Sequence, residues 1–303
     1  MVWFGAHLPL IGHDRTESTS LERFVDAARD LGFSALGAND HVVFSEPWLD
    51  GMVALSSVVE RSADLTLVTT VALPVIRGPA MTAKAAVALD ILSEGRLVLG
   101  VGPGSSSADY ASAGIPFDQR WPRFDESVRV LRRALTDPPG PHAGRFYDVP
   151  VLEPAPARTI PIWVGSWGSA AGLRRAVALG DGWLASAYNT SPQKIASGRD
   201  RIRDTLRTAG RDDTTFPTVI ATMWTYITDS AAEAAARVDE LARMLRRDPT
   251  VLGDHLLIGP AEVCAARLAR YADVGVAGVF IWPVDDPVDQ LRHFGTSVAP
   301  LVG

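Results

Sequence analysis

The chain has 303 residues, 47% of them hydrophobic and 21% charged, which suits one large α/β barrel or two medium domains. A formal net charge of −6 argues against a nucleic-acid partner, whose phosphates demand a basic face. The lone cysteine, Cys264, excludes an intramolecular disulfide and points to a reducing, cytoplasmic setting, and every apolar run falls short of the roughly 20 residues a membrane helix needs.

Met1-Val2-Trp3-Phe4-Gly5 shows no leader pattern and enters a first strand, Val2 to Leu8, which ends in His7-Leu8-Pro9. Thr19-Ser20-Leu21-Glu22 is a capping-box pattern, and Leu21, Phe24, Val25, Ala28 and Leu31 recur at helical spacing before Gly32. A short strand over Ser34 to His41 ends on two ionisable residues, Asp40 and His41. A helix from about Met52 to Arg61 precedes the β-branched third strand, Leu65 to Ala72. Pro79 to Leu92 reads as a helix. Leu97 to Val101 is an unalternating apolar run, as in a strand covered on both faces, and Gly102-Pro103-Gly104 breaks it abruptly.

Beyond Gly104 the sequence reads as a long loop, then a helix with Phe124, Val128, Leu131 and Leu135 on one face. Asp137 to Pro161 supports no more than a short hairpin. Ile162-Trp163-Val164-Gly165 is the fifth strand, followed by a helix ending at Gly180, a sixth strand at Asp181 to Ala185 and a helix over Pro192 to Thr208. The seventh strand is Thr218 to Thr228, with a helix over Ser230 to Leu245. A helix over Pro260 to Ala272 carries Cys264, Leu268 and Tyr271 on its apolar stripe; the eighth strand is Val276 to Trp282, and a last helix begins at Pro287. Eight strands alternating with helices, without a linker-like break, predict one (β/α)8 TIM barrel over residues 1–303 with loop insertions at its C-terminal mouth; an open doubly wound sheet is the alternative.

In a barrel, Asp40-His41 stands at the catalytic mouth, where a histidine moves protons near neutral pH and a neighbouring carboxylate orients it or keeps it charged. The structural alternative is a turn cap and a rim residue. Gly102-Pro103-Gly104-Ser105 offers amides and hydroxyls to a ligand but is neither a Walker loop, since no Gly-Lys-Ser/Thr follows, nor a dinucleotide fingerprint, since the third glycine is missing and Ala108-Asp109 lie beyond. Gly165-Ser166-Trp167-Gly168-Ser169 joins a strand to a helix start, a favourable place for a phosphate, although Ser169 also serves as a plain N-cap. Arg77 can make a charge contact after strand three. His7 faces the mouth, while His13, His142, His255 and His293 lack ligand spacing. Trp48, Trp121, Trp167 and Trp282 can wall a pocket for a planar ring or simply pack the core. No credible metal set and no Gly-x-Ser-x-Gly appear.

Leu92 to Gly102 followed by Gly114-Ile115-Pro116-Phe117, together with Pro161 to Gly165 and Ala178 to Trp183, resembles the bacterial luciferase-like flavin and deazaflavin oxidoreductases from the first strand to the eighth. The resemblance implies a (β/α)8 barrel, a small-molecule organic substrate and a homodimer. It implies coenzyme F420, a deazaflavin, or in the other branch reduced FMN with oxygen. Carried over by motif, Asp40 and His41 lie near the reactive ring carbon. Thr70-Val71 forms a bulge with a non-prolyl cis peptide under the ring. Pro103, Gly104 and Ser105 follow strand four, and Val164, Gly165, Ser166, Trp167 and Gly168 form the phosphate segment. Ser105 replaces the acidic residue of the family's deazaflavin sugar-phosphate dehydrogenases, so that chemistry is not expected. The leading reading is hydride transfer with F420; an FMN-dependent monooxygenase is second, and a non-catalytic flavin-binding barrel is a distant third.

Overall fold

A computed structural model describes residues 2–12 and 21–302. The expected cap at Thr19 and Ser20 lies outside them, as does His13. Eight parallel strands close on themselves: β1 Trp3–His7, β2 Ala35–Ala38, β3 Thr66–Thr69, β4 Leu97–Val101, β5 Ile162–Ser166, β6 Gly182–Ser186, β7 Thr218–Ile227 and β8 Gly278–Pro283. Each pairs with the next, β6 pairs with β7, and β8 returns to β1, so the sheet is a closed barrel of the predicted kind. A three-residue strand, Leu257–Gly259, lies beyond the barrel against the carboxyl half of β7.

Two apolar layers follow from the strand period of two. Ala35, Val68, Leu184, Val219 and Phe280 fill the barrel with Trp3, Val98 and Trp163, while the larger cluster lies between strands and helices. Gly5 makes room for the central plug: a Cβ there would stand 2.5 Å from the Phe280 ring.

One irregularity shapes the mouth. Val279 pairs with Ile220 but Ile281 pairs with Met223, so β7 carries one extra residue, and Thr222 within it has φ +57°. A single inserted residue reverses which face later side chains occupy. Trp224 therefore pairs with Trp282 and stacks on it, ring centroids 4.1 Å apart.

The helices over Pro79–Leu92 and Pro192–Thr208 match their predicted bounds, each opened by a proline that needs no amide partner. The Pro/Gly-rich insertion is a two-residue hairpin, His142–Ala143 with Asp148–Val149. The stretch after Gly104, read as a long loop, instead holds a helix over Ser107–Ser112. Another unexpected helix spans Pro249–His255. Among the described residues no helix is long and apolar enough to cross a membrane.

Candidate active site at the barrel mouth

Strand two stops at Ala38, and the chain turns outward through Asn39, Asp40 and His41. The two ionisable residues part company there. Asp40 is 7% exposed and its carboxylate belongs to Arg77, whose Nε donates to Oδ2 at 2.6 Å and Nη2 to Oδ1 at 2.7 Å; the Leu73 amide adds a bond at 3.2 Å. Arg77 also reaches Asp50, the N-cap of the helix Gly51–Ser57. Burial alone would lower the Arg77 pKa, but the two carboxylates raise it above its ordinary value. The expected pairing of Asp40 with His41 is thus corrected: Asp40 is spent on fixing the loop after β3.

The carboxylate that holds His41 is Asp109, on the short helix Ser107–Ser112. His41 Nδ1 lies 3.2 Å from Asp109 Oδ2, while Oδ1 accepts from the Val42 amide at 3.2 Å and the Val43 amide at 2.7 Å. Burial pushes the Asp109 pKa up, yet the bonds from His41, Val43 and Val42 overcome it and hold the group below the usual carboxylate range. An ionised carboxylate only accepts, so His41 Nδ1 carries a hydrogen, and in the neutral ring Nε2 is left as the proton acceptor. The imidazole is packed by Phe44 and Trp48, with ring centroids at 4.9 and 4.7 Å.

Beyond β3, the Thr70–Val71 peptide bond is cis. The Val71 carbonyl accepts from the Asp40 amide at 3.1 Å, which ties this bulge to the His41 loop. Its side chain rests on the ends of β4 and β5, where glycine is required. A Cβ at Gly102 would come 2.7 Å from Val71 Cγ2, and one at Gly165 would come 3.2 Å from Val71 Cγ1. Glycines thus let Val71 lie flat as a shelf at this side of the mouth.

Of the β4 loop, Pro103 accepts the Tyr110 hydroxyl through its carbonyl, Gly104 turns with φ +75°, and Ser105 is exposed. After β5, the Ser166 hydroxyl accepts from the Gly168 amide at 3.2 Å, Gly168 has φ +84°, and Trp167 is 53% exposed. Ser169 caps the ten-residue helix Ala170–Leu179. Val164, grouped with this segment from sequence, is fully buried in the outer layer and faces Gly180, because strand alternation turns it away from the barrel interior.

The opposite wall is aromatic. His7 stacks on Trp282 at 3.6 Å and 13°, Trp282 stacks on Trp224, and Trp48 meets Trp282 edge-on at 6.0 Å. At this same end of the barrel His7 Nε2, Asn39 Oδ1, Thr70 Oγ1, Trp48 Nε1 and Trp224 Nε1 are buried with no hydrogen-bond partner. Unpaired buried polar atoms are uncommon in a packed core, and five at one mouth fit a site that a polar, flat molecule completes. Among the described residues no group of three or more His, Cys, Asp or Glu could hold a metal.

Sequence reasoning missed Asp109 and Trp224. Ser106-x-x-Asp109 is itself a helix-start signal, and Ser106 does cap the Asp109 amide at 3.2 Å. Trp224 had no such signal, since a bulge in a buried strand leaves no mark on its pattern.

Comparison with known proteins identifies the family and the fold. The family described as luciferase-like monooxygenase matches residues 2–278. The chain is 43% identical over 111 residues to an uncharacterized protein of Mycobacterium tuberculosis, a match spanning 36% of this chain and 38% of that one. It is 25% identical over 319 residues to the F420-dependent hydroxymycolic acid dehydrogenase of the same organism, covering 96% of this chain and 86% of the relative. Among solved structures, an F420-dependent secondary alcohol dehydrogenase holding an F420-acetone adduct superposes with TM-score 0.85 at 16% identity, over 100% of this chain and 99% of that one. The monooxygenase RslO1 from Streptomyces bottropensis gives 0.83 at 21% identity, with both chains fully covered. The two superpositions establish a shared fold.

Proposed function

The chain belongs to the luciferase-like monooxygenase family and is an oxidoreductase, and from that premise we propose that it moves a hydride between coenzyme F420 and a small organic substrate. The observation that carries this reading is the buried Asp109 carboxylate on His41 Nδ1, next to the Val71 shelf. It prepares one proton-transfer group beside a flat surface. The relative named as an F420-dependent dehydrogenase over nearly the whole chain supports the choice of deazaflavin.

When bound, the deazaflavin supplies a ring carbon that accepts or gives a hydride. Val71 would support the ring, and the buried, unpartnered Thr70 Oγ1 and Asn39 Oδ1 would serve its polar edge. The amino end of the helix Ala170–Leu179, capped by Ser169, favours the negative charge of a phosphate group. His41 handles the proton. In the direction of alcohol oxidation, the hydroxyl proton passes to His41 Nε2 as the carbonyl forms, and Asp109 stabilises the cation that results. In reduction the same proton returns to the new alkoxide oxygen. The packed wall of Trp48, Trp224 and Trp282 makes that side of the mouth apolar.

The test is redox turnover of F420 with a set of secondary alcohols and ketones, followed by absorbance of the oxidised deazaflavin. His41→Ala is expected to lower kcat by about 10²-fold or more, with the F420 Kd changed less than about threefold. Equal losses in both quantities, or no turnover of F420 with any member of the set, refute the proposal.

A further inference from the structure

His7 is a histidine that the mechanism above does not use. It ends β1 at the mouth, is fully buried, and places Nδ1 2.9 Å from the Leu8 carbonyl oxygen. A carbonyl has no hydrogen to give, so Nδ1 carries the hydrogen and Nε2 is a bare lone pair. That lone pair is buried and without a partner. Burial also keeps the ring neutral: it pushes the pKa down to about 3, against a weaker opposing effect of the Leu8 bond. His7 is therefore held as an acceptor, whereas His41 is partly exposed and its Nδ1 faces the Asp109 carboxylate.

The aromatic contacts relate the two histidines. His41 packs on Trp48, Trp48 on Trp282, and Trp282 on His7. Trp282 is held between His7 and Trp224, so a flat body passing the Trp48 ring and the edge of Trp282 would have one end at the proton-transferring imidazole and the other at an imidazole that only accepts. Leaving a desolvated acceptor unpaired is unfavourable, and a donor on a ligand relieves it.

We propose that His7 is a specificity-determining residue whose Nε2 accepts a hydrogen bond from a hydroxyl or N–H of the substrate remote from its reacting carbon. The inference rests on the reading that a substrate occupies this mouth, and it names its class: a neutral, flat alcohol or ketone with a second, donating group at the far end.

The experiment uses 15N-histidine-labelled protein with F420 present, and three phenolic ketones of increasing length: 4-hydroxyacetophenone, 6-acetyl-2-naphthol and 4-acetyl-4′-hydroxybiphenyl. Each is paired with its methyl ether. The His7 resonances are assigned by their absence in His7→Phe. At least one phenol is expected to shift the Nε2 resonance toward its hydrogen-bonded value, and its ether is not. Tryptophan fluorescence is expected to show that phenol binding roughly 3–10-fold tighter than the ether in the wild type, and equally in His7→Phe. No Nε2 shift with any phenol, or the same shift with phenol and ether, overturns the proposal; where His7→Phe folds poorly, His7→Gln supplies the assignment and the wild-type spectra decide. Failure of F420 to turn over while a phenol still moves Nε2 would sink the cofactor reading and leave His7 standing; the reverse result removes His7 alone.

Discussion

Replacing Asp109 with Asn tests the local chemistry most sharply, because it removes a charge and leaves the shape. The Asn oxygen can still accept from the Val42 and Val43 amides, which Oδ1 now takes at 3.2 and 2.7 Å. Its NH2 group then meets His41 Nδ1–H at the place of Oδ2, donor against donor. Losing the His41 bond costs about 1.5 kcal/mol, near the low end for a charged hydrogen bond because 3.2 Å is long, and weakening each amide bond costs about 0.5 kcal/mol. The sum is about 2–3 kcal/mol. The Asp109 pKa is lowered in the folded state, so its stabilisation is complete above the ordinary carboxylate value and fades as pH falls through the lowered one. Urea unfolding at pH 7 should therefore show the variant about 2–3 kcal/mol less stable, with the gap narrowing steadily below about pH 4. A gap that stays constant with pH refutes the ionised carboxylate. The same variant should lose about 10–100-fold in kcat, with F420 affinity unchanged, because the histidine is mis-set while the shelf is intact.

Two further changes separate the neighbouring parts. Arg77→Met leaves the buried Asp40 carboxylate without its cation and should cost about 3 kcal/mol in urea unfolding. The double variant with Asp40→Asn should recover part of that loss, and failure to recover any would show that Asp40 is not what Arg77 holds. Gly102→Ala would drive a methyl group to 2.7 Å from Val71 Cγ2 and lift the shelf. F420 binding measured by fluorescence should weaken by roughly tenfold or more, a change of about 1.4 kcal/mol, while circular dichroism stays native.

The barrel was legible because its signals are local. Leu97–Val101 is a five-residue apolar run closed by glycine and proline, and Pro79–Leu92 and Pro192–Thr208 begin on a proline. Three short segments were not: Ser107–Ser112, Pro249–His255 and Leu257–Gly259 carry too few periods to stand out, and no five-residue apolar run of that kind marks them. The same limit hid the pairing of charges. Asp40 and His41 adjoin in sequence, yet their partners lie 37 and 68 residues away, at Arg77 and Asp109. Adjacent residues on an extended turn point different ways, so neighbourhood in the chain gave the wrong partner. Val164 shows the same geometry in a strand, where alternation sends it to the outer layer while Gly165 borders the mouth.

An anaerobic titration of the purified protein with F420, FMN and reduced FMN decides whether this mouth receives a deazaflavin. Saturable binding of F420 near micromolar concentration, with no saturable binding of reduced FMN, is the predicted result. Tight binding of reduced FMN with none of F420 would contradict it and turn the assignment to an oxygen-using flavin enzyme.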